Sequence, residues 1–274
     1  MIAKNSITAC LVVYNEEQII ERCLESVIDL VDEIVVVHDG ECSDKTLEIC
    51  KKYTDKIFVK DHVGIAEPLR SFSYEQATME WILQIDADEF FEKEDVDKIK
   101  SLVNDESVDG YWLRWELWNG KAPVRLEGLQ KMCLFRKSKA RYQGLPQAPT
   151  MIDGTVRKSS IVLCHRPAYD NTSWSTANRK RKYWLESHVR YFFPELVIYS
   201  CFNVTIDSWL AYSQKVRSHP AVYIIFYPLK NLLGQLKNGL WKSGLGISLA
   251  LQQYVYYFSL YWQVWQMDKK LKSH

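Results

Sequence analysis

The strongest constraint on the fold is a regular alternation of short apolar runs and helical patterns in the first 91 residues. The first run, residues 6–14, is almost continuously apolar, which is typical of a parallel strand buried on both faces. Three further runs, residues 33–38, 56–60 and 81–85, are separated by stretches with apolar residues at helical spacing. Strand–helix–strand units of this length predict an α/β fold whose mostly parallel sheet carries helices on both faces.

Composition excludes several classes of protein. The chain has 274 residues, 47% of them hydrophobic, so it can bury the core of one large domain with an appendage. Its net charge of +1 gives no sign of a nucleic-acid partner. Seven scattered cysteines without a Cys-x-x-Cys pair indicate reduced thiols in a cytosolic compartment. The N-terminus lacks a charged segment followed by an apolar stretch, so no signal peptide is expected.

The fourth apolar run ends in a pair of carboxylates. Asp86 and Asp88 would lie at the carboxyl edge of the sheet, where open α/β folds bind ligands. Being two residues apart, they would share one face of an extended strand, so both could reach one hard cation together with phosphate oxygens. The alternative is an acidic turn before a helix that starts near Glu92.

Two other strand ends carry polar residues. Asp39 follows the second run, where its carboxylate could bind a nucleobase or ribose or could cap the next helix. Residues 14–17 follow the first run, where a helix N-terminus could face a nucleotide. The chain has no Gly-x-Gly-x-x-Gly and no Walker loop, which argues against ordinary dinucleotide and P-loop sites.

Taken together, these motifs resemble the family 2 glycosyltransferases of the GT-A fold. Their order and spacing agree across residues 6–91. A later Leu-Phe-Arg strand, a Tyr-x-Gly turn and a strand ending in histidine are similar to the lipopolysaccharide-core glucosyltransferase subgroup. The matching segments are residues 12–17, 35–46, 70–77, 83–89, 134–136, 142–144 and 161–165.

The resemblance implies a mixed, mostly parallel GT-A sheet and a site for a nucleotide-sugar donor. It implies that Asp39 binds the base, that Glu16 or Glu17 lies near the ribose or base, and that Arg70 lies near the nucleotide or its phosphates. The nucleotide-binding set is therefore expected to be Tyr14, Asn15, Glu16, Glu17, Asp39, Arg70 and Asp86.

The same resemblance implies a divalent cation, Mg²⁺ or Mn²⁺. Asp88, with Asp86 acting through ribose or water, would hold the cation where it neutralises the charge that develops on the leaving diphosphate. His165 is a third metal candidate, or an ordinary histidine at a strand end. Three tryptophans could form a sugar-stacking platform, or could belong to the core: Trp112, Trp115 and Trp118.

The catalytic base does not stand where the resemblance places it. The family expectation is inversion by in-line attack of an acceptor hydroxyl, assisted by a carboxylate base. The subgroup has His-Glu after the Tyr-x-Gly turn, but residues 145–149 here read Leu-Pro-Gln-Ala-Pro. Asp153 and Glu127 are the replacement candidates, unless both are ordinary loop carboxylates.

Two rival functions stay open at this point. One is a membrane scaffold that binds a nucleotide-sugar without turning it over, because the expected base is missing. The other is a nucleotidyltransferase, which would need a glycine-rich phosphate loop early in the chain, and residues 10–20 contain no glycine.

The last third of the chain differs from the rest. Between Lys242 and Asp268 there is no charged side chain, but glutamines and serines interrupt the apolar pattern, which disfavours a spanning helix. Flanking lysines and many aromatics favour amphipathic helices that lie on a membrane or pack in a homodimer, over helices of an ordinary core. The basic run 179–182 could bind a diphosphate or anionic lipid head groups, or form a solvated helix face.

We therefore expect a GT-A domain over residues 1–170 and a helical extension over residues 171–274. The predicted reaction moves a hexose from a donor, expected to be UDP-linked, to a glycan or lipid-linked acceptor of the cell envelope. The predicted place is the cytoplasmic face of the cell membrane, with peripheral membrane contact and no nucleic-acid partner.

Overall fold

The computed structural model describes residues 5–273, which form two compact units. The first unit comprises the described part of Met1–Leu117 with Gln130–Ala168 and Tyr199–Val204. The second comprises Trp118–Leu129, Tyr169–Ile198 and the described part of Thr205–His274.

The elements follow one another as strand and helix in the first half and as helices in the last third. The strands are β1 (Ile7–Val13), β2 (Glu33–Asp39), β3 (Ile57–Lys60), β4 (Trp81–Gln84), β5 (Glu89–Phe90), β6 (Gly110–Trp115), β7 (Leu117–Trp118), β8 (Pro123–Val124), β9 (Gln130–Arg136), β10 (Ala140–Arg141), β11 (Met151–Ile152) and β12 (Val156–His165). The α-helices are α1 (Ile20–Val27), α2 (Thr46–Cys50), α3 (Glu67–Gln76), α4 (Val96–Leu102), α5 (Trp174–Arg190), α6 (Asp207–Ser218), α7 (Pro220–Lys237) and α8 (Gly244–Lys272).

The first unit is built on an eight-stranded sheet in the order β3-β2-β1-β4-β9-β6-β12-β5. The pairs β1–β2, β1–β4, β2–β3 and β6–β12 are parallel, whereas β9 runs antiparallel to β4 and β6, and β5 runs antiparallel to β12. The prediction of a mixed, mostly parallel sheet is confirmed. The four strands predicted from the apolar runs are present, and no strand end differs from its predicted position by more than one residue.

The sheet is covered on both faces, as continuous apolar strands require. Alternate residues of β1 face opposite sides, so Leu11 packs in a core with Leu24 of α1, whereas Cys10 packs in another core with Tyr74 of α3. Val37 of β2 lies in the second core. These residues are almost completely buried, so the apolar face of each helix is what holds it on the sheet.

The pairing also brings one edge of the sheet together. Because β9 runs antiparallel to both β4 and β6, and β12 runs parallel to β6, the strands β4 and β12 point the same way. The carboxyl ends of β4 and β12 therefore lie at the same edge as the start of β9. This edge carries Asp86, Lys131 and His165.

The Tyr-x-Gly turn has a steric reason. Gly144 has a φ of +62°, and a Cβ added there would come within 2.0 Å of the carbonyl oxygen of Ser200. Glycine alone combines this left-handed backbone with such a close approach. Tyr142 on the same turn exchanges backbone hydrogen bonds with Phe202, and its side chain is buried.

The second unit is helical around an aromatic core. Helix α8, 29 residues long, buries Tyr256, Leu260 and Val264 against the other helices. The uncharged stretch predicted to lie on a membrane or in a dimer thus supplies, on one face, the core of its own unit. Among residues 5–273, none of the helices combines the length and the apolar character needed to cross a lipid bilayer.

A buried histidine couples the stability of the second unit to pH. His188 on α5 is almost fully buried, and its Nδ1 lies 2.9 Å from the hydroxyl of Tyr256. Burial lowers the pKa of His188 from 6.5 to about 4. Because the unfolded chain takes up this proton first as the pH falls, stability is lost between pH 6.5 and about pH 4.

We expect His188→Gln to flatten the pH dependence of unfolding. Between neutral pH and about pH 5, the wild type should lose about 2 kcal/mol of unfolding free energy through this group. Urea unfolding at both pH values measures the difference. His219→Gln is the matched control, because His219 is exposed and should leave the wild-type slope unchanged. Equal slopes in wild type and His188→Gln would contradict the assignment.

Candidate active site

The candidate site lies at the carboxyl edge of the eight-stranded sheet. The turn that links β4 to β5 carries both aspartates of the acidic motif. Strand β5 pairs antiparallel with the end of β12, which sets Glu89 opposite His165. A backbone hydrogen bond of 2.8 Å from Arg166 N–H to the Asp88 carbonyl closes the turn against β12. Residues 77 positions apart in the chain thus meet in one place.

Asp88 and His165 form a close pair. The Oδ2 atom of Asp88 lies 2.9 Å from Nε2 of His165. The imidazole stacks on Trp115, with ring centroids 4.9 Å apart, and the residue is 6% exposed. The ring is therefore fixed by packing on one side and by a carboxylate on the other. Such a pair of oxygen and nitrogen donors is able to bind a divalent cation.

Asp86 is held by two cations. Its carboxylate lies 2.7 Å from Nη2 of Arg70 on α3 and 2.7 Å from Nζ of Lys131 on β9. Burial opposes ionisation, but Arg70 and Lys131 outweigh it and hold the pKa of Asp86 well below its ordinary value. Asp86 therefore stays ionised in this site.

Lys131 also binds a second carboxylate. Its Nζ lies 2.6 Å from Glu89, which is 1% exposed and also accepts a hydrogen bond from Nε1 of Trp115 at 2.9 Å. Burial lowers the affinity of Lys131 for its proton, but Asp86 and Glu89 outweigh it, so its pKa is raised. Burial raises the pKa of Glu89 although Lys131 acts against it. Lys131 is therefore the cation that the two carboxylates share, and Asp86 has Arg70 as a second partner.

Lys131 and Glu89 were not predicted as site residues, and Trp115 was considered only as part of a sugar-stacking platform. Glu89 directly follows the acidic motif, whereas Lys131 stands in a run that reads as an ordinary strand. The one signal for Lys131 is a single cation near the start of a strand that is otherwise buried. That signal becomes informative only when β9 is known to run antiparallel beside β4.

The residues after β1 serve the neighbouring loop. The side chain of Asn15 accepts a hydrogen bond from Ser43 N–H at 2.9 Å, and Glu17 accepts one from Lys45 N–H at 3.0 Å. Partial burial, together with the negative charges of Asp88 and Asp44, raises the pKa of Glu16 to about 7. The charge of Asp88 thus acts on Glu16, whereas Asn15 and Glu17 bind the backbone of the loop that contains Ser43 and Lys45.

Asp39 at the end of β2 is already engaged. Its two carboxylate oxygens accept hydrogen bonds from Val63 N–H at 2.6 Å and from Gly64 N–H at 2.8 Å. The imidazole of His62 lies 3.3 Å from the same carboxylate and 4.8 Å, between ring centroids, from Tyr14. Tyr14 is 48% exposed, so the edge beside Asp39 presents an aromatic surface.

The two candidate bases are both in ion pairs. Asp153, in the turn after β11, pairs with Arg141, and its N–H donates to the carbonyl of Lys139 at 2.8 Å. Glu127, in the second unit, pairs with Lys242. Neither pair involves the residues that surround Asp86. The assignment of a base stays a prediction.

The donors present fit a divalent cation in one way. Among the described residues, no three histidine, cysteine or acidic side chains are grouped to hold a metal ion. Asp88 and His165 could supply two ligands, and the coordination of a cation bound by two protein groups can be completed by phosphate oxygens and water. Asp86 is already paired with Arg70 and Lys131, so less of its negative charge is available to bind a metal cation. The metal role of all three residues stays a prediction.

Comparison with known proteins identifies a family. The family model for glycosyl transferase family 2 matches residues 8–152. An uncharacterized glycosyltransferase of Rickettsia bellii is 37% identical over 105 residues, which span 38% of this chain and 35% of that protein. One from Rickettsia typhi is 33% identical over 129 residues, 47% of this chain and 42% of that protein. The chain therefore covers less than half of these relatives.

Solved structures give weaker similarities. Staphylococcus aureus TarS 1–349 with UDP-GlcNAc aligns at 15% identity and a TM-score of 0.46, covering 97% of this chain and 92% of that one. Glucosyl-3-phosphoglycerate synthase from Mycobacterium tuberculosis, with Mn²⁺, UDP and phosphoglyceric acid, aligns at 17% identity and a TM-score of 0.43. It covers 68% of this chain and 78% of that one.

We expect Lys131→Met to destabilise the first unit by about 3–5 kcal/mol, because it leaves the buried carboxylate of Glu89 without its cation and leaves Asp86 with Arg70 alone. Urea unfolding at neutral pH measures the loss. Adding Glu89→Gln to Lys131→Met should restore part of it, since one buried negative charge is then removed.

Lys98→Met is the matched control for this prediction. Lys98 forms an exposed ion pair of 2.6 Å with Asp95, and its loss should leave the stability close to that of the wild type, because solvent screens such a pair. If Lys131→Met were as stable as the control variant, the buried cation would not be what holds this edge together.

Proposed function

This chain belongs to glycosyl transferase family 2, and we propose that it moves a hexose from a UDP-linked donor to a glycan or lipid-linked acceptor, with Mg²⁺ or Mn²⁺. The family match spans residues 8–152 and contains most of the edge that carries Asp86, Asp88 and Lys131. Function at this level is a proposal, since the chain covers only part of its relatives.

The observation that carries the proposal is the pairing of Asp88 with His165. Their 2.9 Å contact sets a carboxylate oxygen beside an imidazole nitrogen at the ligand-binding edge of an α/β sheet. Asp88 and His165 would hold the cation. When bound, the cation would stabilise the negative charge on the leaving diphosphate. Trp115 would keep the imidazole in place by stacking.

The neighbouring residues would bind the nucleotide. Asp86, ionised between Arg70 and Lys131, would accept hydrogen bonds from the donor ribose. The exposed ring of Tyr14 would stack on the base. Asp39 would hold residues 61–64 beside the base through its bonds to Val63 and Gly64 N–H.

Transfer would invert the sugar by in-line attack of an acceptor hydroxyl. The two carboxylates proposed as bases, Asp153 and Glu127, are paired with Arg141 and Lys242. These ion pairs are also compatible with the alternative function, a membrane scaffold that binds the donor without turnover. The anomeric configuration of the product, read by NMR, tests inversion.

We further propose that residues 1–170 form the catalytic domain and residues 171–274 a helical extension in peripheral contact with the cytoplasmic face of the cell membrane. The aromatic and lysine-flanked sequence after Lys242 supports this location. A lipid-linked acceptor would then be presented in the plane where the extension lies, while the donor would arrive from the aqueous phase.

We expect slow release of UDP from UDP-glucose that requires Mn²⁺ or Mg²⁺. Asp88→Ala should lower it by at least about a hundredfold, and His165→Gln should raise the Mn²⁺ concentration needed by about tenfold to a hundredfold. A coupled assay for released UDP measures both. Asp97→Asn, a change at an exposed carboxylate on α4, should behave as wild type.

A thermal-shift screen of UDP-, GDP- and dTDP-sugars with and without Mn²⁺ tests donor binding separately, because a bound donor raises the melting temperature. UDP-sugar binding without turnover on any acceptor would favour the scaffold. Metal-independent release that survives Asp88→Ala would rule out the proposed site.

A further inference from the structure

The outer face of α7 carries an unusual row of exposed apolar side chains. Their exposed fractions lie between 44% and 62%, although each is a large hydrophobic residue. They recur at spacings of three, one, three and four residues, which places them along one face of a helix. We call this set the α7 stripe, and it consists of Val222, Ile225, Phe226, Leu229 and Leu233.

The other face of the same helix is used within the unit. Ile224 and Pro228 are buried, and Ile224 belongs to the hydrophobic core that α7 shares with α5, α6 and α8. Because α7 is apolar on both faces, the face that its own unit leaves uncovered is expected to contact another partner. Contiguous exposed apolar residues of this kind mark a surface for a protein or a membrane.

The charges on the segment that carries the stripe have one sign. No acidic residue occurs between Asp207 and Asp268, a segment that includes five cationic residues. Two of these, Lys230 and Lys237, are exposed on α7 and stand four residues after Phe226 and Leu233. Because residues four apart are neighbours on a helix surface, the lysines border the stripe.

An aromatic residue stands just beyond the stripe. Trp241 follows the end of α7 and is 61% exposed. Tryptophan prefers the boundary between lipid head groups and acyl chains, and lysine can extend its ammonium group to anionic head groups from the same depth. The sequence of apolar row, lysines and tryptophan therefore matches a bilayer surface.

We infer that the α7 stripe docks on a membrane whose surface carries anionic lipid head groups. The helix would lie parallel to the membrane, with the stripe at the head-group and acyl boundary and with Lys230 and Lys237 among the phosphates. This inference rests on the proposed function in one respect, since it names the surface that makes the proposed membrane contact.

Charge favours a membrane over a second copy of the chain. Two stripes packed face to face would bring lysines toward lysines, and segment 208–267 has no carboxylate to separate them. An anionic lipid surface instead neutralises each lysine, which strengthens binding by about fivefold per residue.

The test is flotation of the full chain with two kinds of vesicle. One contains phosphatidylcholine alone, and the other contains phosphatidylcholine with phosphatidylglycerol. The wild type should bind the anionic vesicles, and added salt should weaken that binding. Phe226→Ser with Leu233→Ser should lower the partition coefficient by at least about tenfold on the anionic vesicles.

A second double variant separates charge from apolar burial. Lys230→Gln with Lys237→Gln should reduce binding to anionic vesicles by about tenfold or more while leaving binding to neutral vesicles unchanged. Ile198→Ser is the matched control, because Ile198 is an apolar residue of the second unit that is 94% exposed outside the stripe. Circular dichroism verifies that each variant is folded.

Four results would overturn the inference. They are failure of the wild type to float, equal binding of wild type and Phe226→Ser/Leu233→Ser, an equally large loss in Ile198→Ser, and a dimer that the stripe variant dissociates without vesicle binding. The last would make the stripe an interface between two copies.

UDP release in solution distinguishes this failure from that of the transferase. Release without flotation would contradict only the membrane surface, whereas flotation without release would contradict only the proposed reaction.

Discussion

The candidate site depends on one largely buried cation, Lys131, which lies between two carboxylates. Its ammonium group reaches Asp86 at 2.7 Å and Glu89 at 2.6 Å, and Glu89 is almost completely buried. A buried carboxylate is stable only with a partner, so the turn between β4 and β5 can carry this much negative charge only because β9 lies beside β4. The antiparallel insertion of β9 is thus an electrostatic requirement as well as a packing one.

Lys131 also makes the electrostatic surroundings of Asp86 different from those of Asp88. Asp86 is neutralised by Arg70 and Lys131, whereas Asp88 faces an imidazole. Two carboxylates of one short motif therefore have different electrostatic surroundings, which would suit the proposal that one binds the nucleotide and the other the metal. The proposed reaction needs both, because a donor diphosphate must be positioned and its developing charge stabilised.

The helices of the second unit use their apolar side chains in two ways, in the core of the unit and on its surface. Helix α8 buries Tyr256 and Leu260 against its neighbours, so much of the uncharged C-terminal sequence is core. Helix α7 contributes Ile224 to that core and leaves Phe226 exposed. The inferred membrane surface is therefore the outer side of a folded bundle, and its binding can be removed by substitution without removing the core.

The spacing of apolar residues in the sequence predicted the individual strands and the ends at which polar residues stand. Strands β1 to β4 and the position of Asp86 and Asp88 at a sheet edge follow from runs and spacings of fewer than about twenty residues, because periodicity reports which face of each element is buried. Tertiary structure alone decided that Lys131 meets Asp86, 45 residues away, and that His165 meets Asp88, 77 residues away. Such contacts depend on strand order and direction, which periodicity does not encode, and the same holds for which apolar face of α7 remains in solvent.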